Sequence, residues 1–504
     1  MKYRVPMQRV SLHDLTDISG QESRLGVTFG GLRRIRASEE ALRCLIRKNR
    51  KPIYGVNTGV GDLCDTVIGE GDLWRLQENL IVSHACGSAP FLDENVSRGA
   101  LFLVINALAK GYSGVSVHTV RTLITFFNNN VSPLMPAQGS LGASGDLIPL
   151  AHLGLLLLGK GNAYHRGRVV PAAKILKRLR ITPLSLGPKE ALSIINGTAV
   201  TTAQAALAVS AARDLLLSSC RATAGLFEVT GASRSGLDAR IHDVKPHPGQ
   251  KAVAALLRRY LSGSARTDAK KKKVQDSYVV RCAPQIDGAV MDHIDAAVRV
   301  VEVELNSVTD NPLFFSSRGV FQAVSGGNFH AQNVAFAMDS VGIAMAAHSK
   351  VIERRIERLL NSALSGLPPF LAPHGGLNSG LMVTQYLAVA LVAENAILAH
   401  PASIQSVPVS AGQEDFVSMG MTSARKASDI VRNTERALAV EFLAIYQAGE
   451  FLMDSKTYGH GAFSASFRDL KKKIRRRVAP VMRDRWMSND IAYIAGLIRR
   501  GDMR

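Results

Sequence analysis

Between residues 199 and 219 the chain meets neither glycine nor proline, and alanine and leucine dominate. Such a run costs little to wind into a helix. Its apolar residues fall on more than one side, so the helix belongs inside a bundle. Three further runs carry apolar residues at helical spacing: 332–360, 381–400, which Pro401 stops, and 421–451. The first of these ends in Glu353-Arg354-Arg355-Ile356-Glu357-Arg358, where opposite charges stand three or four apart. Strand-like alternation is confined to short pieces such as Gly167-Arg168-Val169-Val170. Glycine-rich loops punctuate the chain at residues 54–61, 139–145, 325–327 and 375–380. Rigid helical scaffolds usually carry their chemistry on such loops. The expected fold is mainly α, a long central helical bundle with a loop-borne active site. No low-complexity linker, internal repeat or shift of composition cuts the chain. Residues 1–504 therefore read as one unit, with a catalytic-loop part over about 1–200 and a helical part over about 201–504.

Composition removes several function classes. With 46% hydrophobic and 20% charged residues the chain is globular rather than disordered. Its apolar stretches stop short of the roughly 20 residues that cross a bilayer. The segment Met1-Lys2-Tyr3-Arg4-Val5-Pro6 lacks the apolar run of a secretory signal. Five scattered cysteines, Cys44, Cys64, Cys86, Cys220 and Cys282, form no Cys-x-x-Cys pair. That argues against a disulfide framework or a zinc site and fits a reducing cytoplasm. The formal charge of +20 is the compositional oddity. Its two dense runs, Lys270-Lys271-Lys272-Lys273 and Lys471-Lys472-Lys473-Ile474-Arg475-Arg476-Arg477, lack the interleaved aromatics that stack on bases. They read as solvated surface, and neither nucleic acid nor membrane is an expected partner.

Three motifs mislead. Gly154-Leu155-Leu156-Leu157-Leu158-Gly159-Lys160 begins like a phosphate-binding loop, but Gly161 stands where a magnesium-holding hydroxyl is needed. A buried helix end is the better reading. Gly142-Ala143-Ser144-Gly145 is no nucleophile elbow, because glycine follows the serine directly. His152, among leucines, reads as a satisfied core residue rather than a ligand.

Ala143-Ser144-Gly145 allows unusual chemistry. Gly145 has no side chain, so its nitrogen can approach the Ala143 carbonyl carbon in a tight bend. Attack closes a five-membered ring, and loss of water flattens it. Loss of the Ser144 hydroxyl then leaves a methylidene conjugated to the ring, an electrophile no ordinary side chain supplies. By chance the tripeptide occurs on the order of once in five chains of this length, so alone it decides little.

The surrounding string does decide. Gln138-Gly139-Ser140-Leu141-Gly142-Ala143-Ser144-Gly145-Asp146-Leu147-Ile148-Pro149-Leu150 resembles the signature of the histidine and aromatic amino-acid ammonia-lyases. Further parts of that pattern follow in order: Tyr54-Gly55-Val56-Asn57-Thr58-Gly59-Val60-Gly61, Ser83-His84, Ile195-Asn196-Gly197-Thr198 and Gln275-Asp276-Ser277-Tyr278-Val279-Val280-Arg281. Thr309-Asp310-Asn311-Pro312, Gly326-Gly327-Asn328-Phe329-His330 and Gln413-Glu414-Asp415-Phe416 complete it. The resemblance implies an ammonia-lyase/fumarase-like fold and a methylidene-imidazolone cofactor made from residues 143–145. It also implies a homotetramer whose sites draw loops from several copies. It assigns the base that removes the β-hydrogen to Tyr54, with Tyr278 as the second catalytic tyrosine. A phenol needs a positive or hydrogen-bonded setting for that task. Arg281 is the implied clamp on the substrate carboxylate. Asn196, Gln275, Tyr278 and Asn328 are implied around the cofactor, with Phe329 packed nearby. Read without the family, Asn196 has a plainer alternative, an N-cap for a helix starting near Thr198.

Two positions bear on the substrate. His84 with Ser83, and Glu414 inside Gln-Glu-Asp, suit an imidazole, which offers an N–H and can become cationic. A carboxylate facing a phenyl ring is left unpaired. Tyr386 pulls the other way, since it can hydrogen-bond a phenol, and Val60, Ser277, Gly412 and Phe416 depart from the usual histidine-lyase strings. The balance favours histidine, with a tyrosine ammonia-lyase or tyrosine aminomutase as the alternative. A nucleic-acid-binding protein on a degenerate lyase fold is the remote one, disfavoured because Tyr54 and Ser144 are both kept.

Overall fold

The structure, a computed structural model, describes residues 2–48, 52–268, 274–317, 320–454 and 461–504. The Lys270–Lys273 run lies outside them. Long helices dominate: Ala199–Thr230, Ala283–Leu305, Gln332–Leu360, Met382–Leu398 and Gly420–Asp454. The first extends well past its glycine-free stretch. A Cβ on Gly225 would lie 2.9 Å from Ile445 Cγ2, so this glycine lets the 199–230 and 420–454 helices approach closely. Among the described residues, strands form three small sheets. One pairs Lys2–Val5 with Arg24–Val27 in parallel, and the other two are antiparallel, among them Asn162–His165 with Arg168–Pro171.

The chain divides into two compact units. The first comprises residues 1–207, 298–339 and 401–425. Its core gathers around the almost wholly buried Glu94–Leu108 helix. There Arg98 donates to the carbonyls of Ile18, Gly20, Ser23 and Phe127 and lies over the Phe127 ring at 3.6 Å. A second buried cation, Lys189, pairs with Asp310 at 2.7 Å.

The second unit comprises residues 208–297, 340–400 and 426–504, and it is a helical bundle. Arg355 ties it together. Its guanidinium meets Asp287 at 2.7 Å, Ser219 Oγ at 3.4 Å and Glu441 at 4.0 Å, so four helices converge on one buried cation. His348 Nδ1 adds a contact to Asp287 at 3.1 Å. Asn395 Nδ2 donates to Thr434 Oγ1 and brings in the 382–398 helix. Burial raises Asp287, but Arg355 and His348 outweigh it and hold the acid down to about 2. Burial pushes Glu441 up to about 8. The basic run at 471–477 is more than solvated surface: Lys471 and Arg475 both meet Glu450 at 2.9 Å, pinning the Ala465–Arg475 helix to the 420–454 helix.

Candidate active site

The 139–146 turn is held from several sides within the first unit. Gly145 pairs with Gly197 backbone to backbone, and Asp146 N donates to Gly197 O at 2.7 Å. A Cβ on Gly145 would sit 2.4 Å from Gly197 N and O, and φ there is +72°. Only glycine fits. Gly142 O accepts from Ala331 N and from Ser418 Oγ, and Met419 N donates to Leu141 O. Asn196 Nδ2 donates to both Ser144 O and Ser144 Oγ at 2.9 Å. The Ala143-Ser144-Gly145 turn is thus fixed at its backbone and at its serine hydroxyl.

Asn196 therefore does not cap the 199–230 helix. Asp146 does, from more than fifty positions upstream: its Oδ2 accepts from Val200 N and Thr201 N at 2.8 Å, and its Oδ1 from Thr201 Oγ1 and Ser140 Oγ. The helix start favours a negative charge, and four donors stabilise it. Burial nevertheless outweighs them, leaving the acid weaker than a free aspartate. No local signal marks this role, because an aspartate just ahead of Leu147 has the position of a cap for its own helix. Its side chain makes no such local cap. His152, on that same helix, was expected to be satisfied, yet its Nε2 is buried without a partner. The Gly154-to-Lys160 string forms the end of the Leu147–Leu157 helix, as expected.

Tyr54 stands on a loop braced by its own side chains, with Ile53 N donating to Asn57 Oδ1 and Gly55 N to Thr58 Oγ1. Gly61 N donates to the Tyr54 hydroxyl at 3.1 Å. Burial raises the phenol's pKa; the Gly61 N–H opposes this, and the charges of Glu414 and Cys64 add to the rise. Of the positive or hydrogen-bonded setting expected for a base, these neighbours supply the hydrogen bond from Gly61 N and no positive charge. Glu414 closes a tight turn with Val409, and burial raises its pKa too. The two loops meet: a Cβ on Gly61 would lie 2.7 Å from Ser410 Oγ.

His84 ends the Leu73–His84 helix, with Nδ1 3.1 Å from Ser83 Oγ. Burial lowers its pKa against the pull of the Leu80 carbonyl. Asn328 is exposed, with Nδ2 donating to Val308 O, and Phe329 is half-buried beside it. The neighbouring His330 stacks on Phe416.

Gln275, Tyr278, Arg281 and Tyr386 belong to the second unit. Tyr278 is 68% exposed and Tyr386 66% exposed. Gln275 is exposed as well. The Arg281 guanidinium lies over the Tyr278 ring at 5.0 Å, and its Nε has no partner. Among the described residues no His, Cys, Asp and Glu gather in a metal-holding group.

Comparison with known proteins gives this arrangement its context. A sequence profile described as aromatic amino acid lyase matches residues 10–475. The histidine ammonia-lyase of Alkaliphilus oremlandii is 42% identical over 503 residues, covering 100% of this chain and 97% of its own length. That of Geobacillus kaustophilus is 47% identical over 449 residues, covering 89% and 87%. Among solved structures, histidine ammonia-lyase from Trypanosoma cruzi superposes with a TM-score of 0.91 at 36% identity, covering 100% of this chain and 94% of the other. Tyrosine aminomutase from Streptomyces globisporus gives 0.93 at 35% identity, covering 100% and 98%. A serine gripped beside a glycine that tolerates no side chain, on a chain matched end to end by such enzymes, has one reading: this protein belongs to the aromatic amino acid lyase family and is a carbon–nitrogen lyase with the mainly α ammonia-lyase fold.

Proposed function

We propose that this chain eliminates ammonia from L-histidine to give urocanate, using a methylidene-imidazolone made from Ala143-Ser144-Gly145. That group supplies an electrophile that turns the substrate amine into a leaving group. The observation that carries the reading is the double donation from Asn196 to Ser144 beside the Gly145–Gly197 backbone contact. All 504 residues act as one lyase unit.

The residues divide the remaining work. Tyr54 takes the β-proton, and Arg281 holds the substrate carboxylate in its planar fork. Gln275, Tyr278, Asn328 and Phe329 surround the reacting atoms. Glu414 and His84 hold the imidazole. A half-buried carboxylate close enough to raise the Tyr54 phenol supports a substrate ring that offers an N–H or a positive charge. The histidine ammonia-lyases at 42–47% identity support the same substrate over tyrosine.

We also propose a homotetramer in the cytoplasm. The Met382–Leu398 helix exposes Val383, Tyr386, Leu387, Val389 and Ile397, an apolar face that suits a second copy. Among the described residues no helix is long and apolar enough to cross a membrane.

Product analysis with histidine, tyrosine and phenylalanine offered separately tests the substrate. Urocanate from histidine, distinguished from coumarate by its ultraviolet spectrum, is the expected outcome. Wild-type protein that makes none ends the histidine reading.

A further inference from the structure

Asn196 also borders a second polar space. Ser113, Ser193, Thr198, Glu304 and Asp310 join it around a cavity of about 40 Å³, completed by leucines and valines. A water needs roughly 10–15 Å³ of such space. Three atoms of the lining residues are buried without a protein partner: Asn196 Oδ1, Asp310 Oδ1 and Ser113 Oγ. Buried acceptors left in that state are costly, and ordered water is the usual remedy. The frame around them is rigid. Asp310 Oδ2 takes Lys189 Nζ at 2.7 Å, Lys189 also donates to Ser193 Oγ, and Ser193 Oγ donates to Ser113 O.

We propose that this cavity is an ordered-water site, and that the Lys189–Asp310 pair is a positioning element acting through that water on Asn196 while residues 143–145 mature. The inference rests on the cofactor reading above. In that maturation Gly145 N bonds to the Ala143 carbonyl carbon. The carbonyl oxygen leaves as water with the protons of Gly145 N and Ser144 N. The Ser144 hydroxyl leaves as a second water with the Ser144 α-hydrogen. Asn196 grips both the Ser144 carbonyl and the departing hydroxyl, which it does only with its NH2 turned toward them. Water donating to Oδ1 holds that orientation, and Asp310 holds the water.

Two measurements test this. A wild-type crystal structure that shows ordered water should place it within hydrogen-bond distance of Asn196 Oδ1 and Asp310 Oδ1. In parallel, intact mass is followed in freshly synthesised wild type, Asp310→Asn and Ser113→Val. The first variant weakens the hold on water, and the second fills the cavity without touching a charge. Both should lose the two waters about tenfold more slowly than wild type, the factor that one hydrogen bond carries, with unchanged helical circular dichroism. If Asp310→Asn does not fold, Ser113→Val decides alone. A Ser113→Val protein that matures at the wild-type rate overturns the proposal, as does a cavity whose polar atoms pair without water. A wild type that never loses two waters overturns the cofactor reading instead, and the crystallographic result still judges the water site.

Discussion

The turn that carries Ser144 and the segment that carries Arg281 are built in opposite ways. The first is buried, and most of its polar atoms are matched: Asp146 has four donors, and Ser144 has the Asn196 amide. The second presents an exposed Gln275 and Tyr278, and an arginine whose Nε is unmatched and whose guanidinium rests on a tyrosine ring. Burial and hydrogen bonding fix a conformation at the cost of adaptability, which suits the proposed ring closure at residues 143–145. A half-buried cation with an unmatched Nε suits a partner that arrives later, either a substrate carboxylate or another copy of the chain.

The harshest way to test that contrast is Ser144→Ala. With no hydroxyl to eliminate, the protein should fold, keep the full mass its sequence requires, and lose on the order of a thousandfold or more of its turnover. Retained activity at unmodified mass would remove the turn from the chemistry. Next in size is Tyr54→Phe, which should still show the two-water deficit by mass yet fall about 10²- to 10⁴-fold in kcat, the range of a lost general base. Because burial raises this phenol, wild-type kcat/KM should climb from neutral to alkaline pH as the base ionises, and a flat profile would argue against a phenol as the base.

Arg281→Gln probes the second segment. A lost charged hydrogen bond of about 1.5–3 kcal/mol corresponds to roughly a 10- to 150-fold drop in kcat/KM. If sites are shared between copies, co-expressing Arg281→Gln with Ser144→Ala should restore activity that each lacks alone; no restoration argues for sites confined to one chain. Glu414→Gln should cost a similar factor on histidine while sparing any side activity on tyrosine, and an equal loss on both substrates would sever Glu414 from the ring.

The smallest effect concerns the bundle. Glu441 sits at about 8 in the fold against an ordinary 4.5, so folding favours its protonated form. That contribution to stability is fully present below about 4.5 and is lost as pH rises through 8. Glu441→Gln should therefore match wild type in acid and exceed its thermal midpoint by about 2–4 °C at pH 9. A variant that loses stability equally at both pH values would show that the residue's shape, rather than its charge, matters.

Helical spacing alone located the 332–360 helix to the residue, and the other three runs to within a turn or so at most ends. These are long periodic segments whose apolar faces leave little choice of period. The tight bend at Gly145 was legible as well, since a positive φ with no room for a Cβ requires glycine. The pairing of side chains across long stretches of chain was not legible. Asp146 caps a helix that begins more than fifty residues later, Lys189 finds Asp310, and Arg355 collects partners from three other helices. No local pattern encodes which charge will be buried beside which, because the outcome depends on how the helices pack once they have formed. The chain's own pattern was enough for the long helices, the mainly α fold and the family. Tertiary structure alone decided which groups are buried together, because desolvation and hydrogen-bond geometry exist only after the chain has closed around them.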